Sequence, residues 1–163
     1  MILNIGTNSS TLVVGGEGQV FFTRELDIAG FHIIKEIMKK YSADYNDAYN
    51  IFTENGINSL SGSDTTDDES TFSLEVAEKT IVSSLTDEIR KSLRYYVKSN
   101  NGNSNFKRFF LSGGYADIDG LKDKIADELR LDTQVLNPFN NISSDIKIIN
   151  PSKYSIAVGL ALR

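Results

Sequence analysis

The sequence contains no cysteine, no tryptophan, a single histidine and only 2 prolines. Without cysteine there is no disulfide framework, no thiolate zinc site and no cysteine nucleophile, and the chain fits a reducing compartment such as the cytoplasm. Clustered basic charge is missing as well. The 17 Lys and Arg are outnumbered by 22 Asp and Glu, giving a net charge of -5, and no dense basic run offers the surface that a phosphate backbone requires. Nucleic acid is therefore not an expected partner. Nor is there a long hydrophobic run. The stretch Ile156 to Leu162 falls far short of the roughly 20 apolar residues of a spanning helix, so no direct membrane insertion is expected and any peripheral attachment must pass through a partner. The start, Met1-Ile2-Leu3-Asn4, has no basic region followed by an apolar segment of signal-peptide type. It runs straight into a strand pattern, which suggests a truncated chain or a shortened gene product.

What is present is ordinary globular material. The 163 residues are 40% hydrophobic and 24% charged, enough for one domain over 1–163 with its own core. Apolar runs at Ile2 to Gly6 and Thr11 to Gly15, separated by turn residues, predict a hairpin, and Gln19 to Glu25 adds a third strand. From Ile28 the period changes to three and four, with Phe31, Ile34, Met38 and Tyr41 on one helical face. Asp44 to Phe52 reads as a short second helix inserted before a polar stretch, 53–70, which reads as a flexible loop. Ala77, Ile81, Leu85, Ile89, Leu93 and Val97 recur every four residues and predict a long helix over 72–97. Asp87 stands one turn ahead of Lys91 on its exposed side. Phe106 to Leu111 is a strand ending in Ser112-Gly113-Gly114, and the diglycine is expected to open a helix marked by Ile118, Leu121, Ile125 and Leu129. Short strands are expected at Thr133 to Leu136 and Ile146 to Ile149. Asn150 before Pro151 signals a capped, apolar last helix. Strands, helices, strand, helix, strand, helix in this order indicate an α/β fold with a mixed sheet covered by helices.

Two segments have the chemistry of phosphate contact. The hairpin with Gly6, Thr7, Asn8, Ser9, Ser10 and Thr11 brings backbone N–H groups and short hydroxyls together, although any polar hairpin has the same composition. Ser112, Gly113 and Gly114 at a strand end permit close approach of a nucleotide, although paired glycines also simply make tight turns. Other candidates are weaker. His32 lies in a helix without cysteine neighbours and reads as a packed or surface side chain. Asp64, Asp67, Asp68 and Glu69 lack the spacing of a calcium loop and read as solvated, and Phe106, Phe109 and Phe110 read as core.

Several segments resemble one family. Phe21-Phe22-Thr23-Arg24-Glu25-Leu26-Asp27-Ile28-Ala29-Gly30 is similar to the strand-to-helix passage of the type IV pilus assembly (PilM) proteins, of the FtsA/PilM superfamily. Asp87 to Tyr96 resembles that family's long helix, Leu111 to Leu121 its diglycine motif, and Asn137-Pro138-Phe139 and Ala157 to Arg163 its closing segments. The resemblance runs in order from Ile2 to Arg163 and covers the C-terminal half of the usual family protein. It implies a single actin-like (ribonuclease H-like) lobe, whose nucleotide would lie against Asn4, Gly6, Thr7, Asn8, Ser9, Thr11, Tyr49, Phe52, Ser112, Gly113 and Gly114.

The departures from the family point to a vestigial site. Asn4 stands where the family resembles other actin-like ATPases in placing an Asp that orients magnesium-bound water, and an amide lacks the charge a hard cation favours. Tyr49 and Phe52 stand at positions that resemble a Glu and a Lys near the nucleoside, and the half carrying the first phosphate loop has no counterpart. The expectation is a non-catalytic binding scaffold of a pilus inner-membrane platform, with no catalytic or metal residues and no required cofactor. ATP with magnesium is a doubtful ligand. The alternatives are an ATPase lobe completed by a separate N-terminal half, or a type II secretion relative. Expected partners are pilus or secretion platform proteins, a complementing half or a second copy. The resemblance assigns recognition of the PilN tail mainly to the other half.

Overall fold

The computed structural model describes residues 1–16, 21–60, 80–100, 106–142 and 148–162. Five strands form one mixed sheet in the order β3-β2-β1-β4-β5. Strands β1 (Ile2–Ile5), β2 (Ser10–Val14) and β3 (Phe22–Leu26) make an antiparallel meander, with Leu3 opposite Leu12 and Leu12 opposite Arg24. Strands β4 (Phe109–Ser112) and β5 (Thr133–Val135) join β1 in parallel, with Asn4 beside Ser112.

Alternation along the strands decides which face is covered. Leu3, Ile5, Leu12, Val14, Phe109 and Leu111 point to one side and are buried. They share a core with Ile33, Ile34 and Ile37 of α1 (Gly30–Tyr41), Phe52 of α2 (Tyr45–Asn55), Leu85 and Ile89 of α3 (Ile81–Ser99), and Leu121 and Ile125 of α4 (Leu121–Leu129). On the other side Asn4, Thr11, Val13 and Phe110 are only half-buried and Ile2 is exposed. The last helix, α5 (Ser155–Ala161), follows a 3-10 turn over Pro151–Tyr154 and buries none of its residues.

Several expectations are corrected. Residues 53–60, read as loop, continue α2 to Asn55 and then form a 3-10 turn over Gly56–Leu60; 61–70 lie outside the described residues. The positive φ of Gly56 (59°) and the Asp119 carbonyl oxygen, 2.4 Å from where a Cβ would stand, explain why glycine ends α2. The long helix is described from Ile81, capped by the Thr80 hydroxyl, which accepts from the Ser83 amide at 3.1 Å; 72–79 fall outside. On α3 the ion pairs are Arg90 with Asp87 and Lys91 with Glu88, both at 2.7 Å and one turn apart, whereas Asp87 was expected opposite Lys91. The diglycine does not open a helix. Residues 113–120 form successive turns and α4 starts at Leu121, after Gly120 at φ 74°. Of the strand expected at Ile146 to Ile149, residues 146 and 147 lie outside the described residues and 148–149 are not strand. Asn150 precedes Pro151 but makes no side-chain cap, its backbone adopting the left-handed conformation instead.

Candidate functional site

The two glycine-bearing turns meet. β1 and β4 are parallel neighbours, so the hairpin after Ile5 and the turn after Ser112 leave the sheet at the same end. The Ser112 hydroxyl lies 3.4 Å from Asn4 Oδ1, on the half-buried face of the sheet. Gly113, at φ 95°, passes so close to β1 that a Cβ would stand 2.4 Å from the Ile5 carbonyl oxygen and 2.8 Å from Asn4 Oδ1. Only glycine fits there. A Cβ at Gly114 would meet no atom within 4 Å, so the space above this second glycine is open. The Tyr115 amide closes the contact by donating to the Ile5 carbonyl at 3.4 Å.

The hairpin is tight because the Gly6 amide donates to the Ser9 carbonyl at 3.1 Å. Its outward carbonyls cap the next helix: the Gly30 amide donates to Gly6 O at 2.9 Å and the Phe31 amide to Thr7 O at 2.8 Å. These are first-turn N–H groups that would otherwise suit an anion, and here they are committed within the chain. His32 serves the same helix end, its Nδ1 accepting from the Ala29 amide at 3.3 Å at the start of α1. Ser10 is buried, and its hydroxyl donates to the Ile28 carbonyl at 2.7 Å, tying β2 to the entry of α1. Thr7 and Asn8 are exposed, Ser9 is half-buried, and Thr11 lies opposite Asn4 across the hairpin.

The two aromatic candidates separate. Tyr49 is exposed and closes a ladder of rings in which Phe31 stacks on Tyr45 and Tyr45 on Tyr49, each pair 6.3 Å apart. Phe52 is fully buried in the core, its ring 6.4 Å from Tyr115. The chain thus brings Asn4, the hairpin, Ser112, Gly113 and Gly114 together, sets Tyr49 on the surface of α2 and turns Phe52 inward.

Tyr115, which sequence reasoning passed over, joins these parts. Its ring lies against Gly30, where a Cβ would stand 2.3 Å from it, and Tyr45 and Thr7 are polar neighbours of its hydroxyl. Burial, followed by the contacts with Tyr45, raises its pKa well above the ordinary phenol value, so it stays neutral throughout the physiological range. The available signal was a bulky ring directly after two glycines, where an open approach needs small side chains. Ser152 was also missed. It is buried, its hydroxyl lies 3.0 Å from the Gly113 carbonyl and beside the Asp117 carboxylate, and its own carbonyl accepts from the Gly113 amide at 3.1 Å. The described residues contain no cluster of His, Cys, Asp or Glu able to hold a metal ion, and none of their helices is long and apolar enough to cross a membrane.

Compared with known proteins, residues 1–163 match the family of the type IV pilus assembly protein PilM. No curated protein matches. Among solved structures, a PilM-PilN type IV pilus biogenesis complex superposes with a TM-score of 0.74 at 20% identity, over 99% of this chain and 44% of that one. MreB 5 of Spiroplasma citri bound to AMPPNP gives 0.63 at 15% identity, over 99% and 51%. The ethanolamine utilization protein EutJ from Carboxydothermus hydrogenoformans gives 0.59 at 16% identity, over 99% and 48%. The fold is that of one actin-like lobe, and the chain spans about half the length of these neighbours.

Proposed function

Since the chain belongs to the type IV pilus assembly protein PilM family, we propose that it works as a non-catalytic, actin-like scaffold of a pilus inner-membrane platform, held peripherally at the membrane by a protein partner. In this reading the nucleotide site is vestigial. The observation that carries it is the commitment of would-be ligand groups inside the chain: the Gly30 and Phe31 amides donate to the hairpin carbonyls of Gly6 and Thr7. Asn4 adds no charge for a metal-bound water to lean on.

A scaffold needs surfaces, and α5 supplies one. Ile156 and Leu160 are 61% and 60% exposed, and Leu162, just after the helix, is 71% exposed. Such a surface fits a complementing half or another platform protein. PilN stands with PilM in the complex that this chain resembles, and a platform of that kind is the proposed setting.

The test is to titrate ATP with magnesium and follow thermal stability, since a ligand bound only to the native state stabilises it by about 2.7 kcal/mol at one hundred times its dissociation constant. No shift at millimolar ATP is expected. Micromolar binding would instead favour the second reading, an ATPase lobe completed by another half. That reading has its own support, because Gly113 and the hairpin do converge at one sheet end and the space above Gly114 is open. Asn4→Asp is the discriminating variant: it should leave nucleotide affinity unchanged if the site is vestigial.

A further inference from the structure

Away from the glycine turns, a groove of about 520 Å³ runs between the C-terminal half of α3 and the end of α4. Its floor is apolar: Leu93 and Val97 of α3, Phe106 before β4, and Leu129 and Leu131. Its rim is basic, because Arg90, Arg94 and Lys98 follow one another at intervals of four along α3 and so line one side of the helix. In a chain of net charge -5 this is a local reversal of sign.

The three cations differ in what they do. Arg90 is held in place by Asp87 at 2.7 Å and by the Glu128 carbonyl, so it forms a fixed end of the groove. Arg94 and Lys98 are exposed and have no carboxylate partner among the described residues. Cations without a described carboxylate partner, beside a concave apolar floor, match a chain that presents apolar anchors on one side and carboxylates along its edge. A flat anionic bilayer would meet the cations but leave the floor unfilled.

We infer that this groove docks an acidic amphipathic helix of a partner protein, with apolar side chains in the floor and carboxylates on Arg94 and Lys98. The inference concerns neither the glycine turns nor α5, so its failure would leave the nucleotide reading untouched. The probe is a synthetic helical peptide of about four turns, with Leu on one face and Glu on the rest, together with the same peptide carrying Lys in place of Glu. Binding is followed by fluorescence anisotropy and by backbone amide shifts of the intact chain. The Glu peptide should bind, with shifts confined to the second half of α3, Phe106 and 129–131. Arg94→Glu with Lys98→Glu should weaken it at least about tenfold, leave the melting temperature near its original value because both sites are exposed, and improve binding of the Lys peptide. Absence of binding at millimolar peptide, equal binding of both peptides, or shifts elsewhere would each overturn the inference. So would vesicles rich in phosphatidylserine binding through Arg94 and Lys98 while the Glu peptide does not, which would assign the rim to a membrane surface.

Discussion

Helices α3 and α5 are both rich in apolar residues, and the chain treats them in opposite ways. In α3, Val82, Leu85, Ile89, Leu93 and Tyr96 repeat along one face, and all of them are buried. In α5, Ser155-Ile156-Ala157-Val158-Gly159-Leu160-Ala161 carries as much apolar character and buries nothing. The hydrophobic effect rewards removal of apolar surface from water wherever it is achieved. For α3 the sheet of this chain achieves it; for α5 the described residues do not. The difference teaches that the described residues leave the apolarity of α5 uncovered, which is what the proposal of α5 as a surface for a partner rests on.

The sharpest way to break this contrast is to remove matched side chains. Leu85→Ala should cost about 2 to 5 kcal/mol in chemical denaturation, as large-to-small changes in closed cores do. Leu160→Ala should fall within about 0.5 kcal/mol of the parent; a loss comparable to that of Leu85→Ala would mean that α5 already packs against its own chain. Next comes the turn that joins the two regions. Gly113→Ala forces a Cβ into the Ile5 carbonyl at positive φ and should cost roughly 1 to 3 kcal/mol, with the largest amide shifts at Ile5 and Tyr115.

Glu128 is the next step down. Burial opposes its charge, but hydrogen bonds from Thr86 and Ser83 and the Lys124 ammonium at 3.1 Å outweigh it, so its pKa is lowered. A depressed carboxylate stabilises the fold above its ordinary pKa, and that stability is lost as pH falls through the lowered value. Glu128→Gln should therefore cost about 1 to 3 kcal/mol at neutral pH, and the gap to the parent should narrow as the solution is acidified below the ordinary carboxylate range. A gap independent of pH would show that the charge is not what matters. The smallest effect on the fold is expected from Leu160→Asp, which should leave the melting temperature almost unchanged while reducing self-association in sedimentation experiments, if α5 is the sticky surface.

Much of this architecture was legible because local pattern and tertiary role agree. The alternation of Leu3, Ile5, Leu12 and Val14 marks the covered face of the meander, and the four-residue repeat through Leu85, Ile89 and Leu93 marks the buried side of α3. The convergence of the hairpin and the Gly113 turn also follows from order, since a parallel β1–β4 pair brings both turns to one sheet end. What failed was decided by contacts distant in sequence. Phe52 looked like a site residue by position in a resembling segment, but packing against Tyr115 draws it into the core. The helix expected directly after Gly114 is delayed to Leu121, because residues 113–120 spend their backbone on turns, with Ala116 donating to Gly113 and Ile57 to Asp119. Glu128 gave no signal at all. Its hydroxyl partners Ser83 and Thr86 lie more than forty positions away, beyond the reach of any periodicity.

Ser152 has a mechanical consequence. It is clasped to Gly113 through both its hydroxyl and its carbonyl, and the Ser155 hydroxyl donates to that same carbonyl at 2.7 Å, at the first residue of α5. The exposed apolar helix and the glycine pressed against β1 therefore share one anchor. Whatever fixes the start of α5 in place also fixes the carbonyl that receives the Gly113 amide beside Ile5.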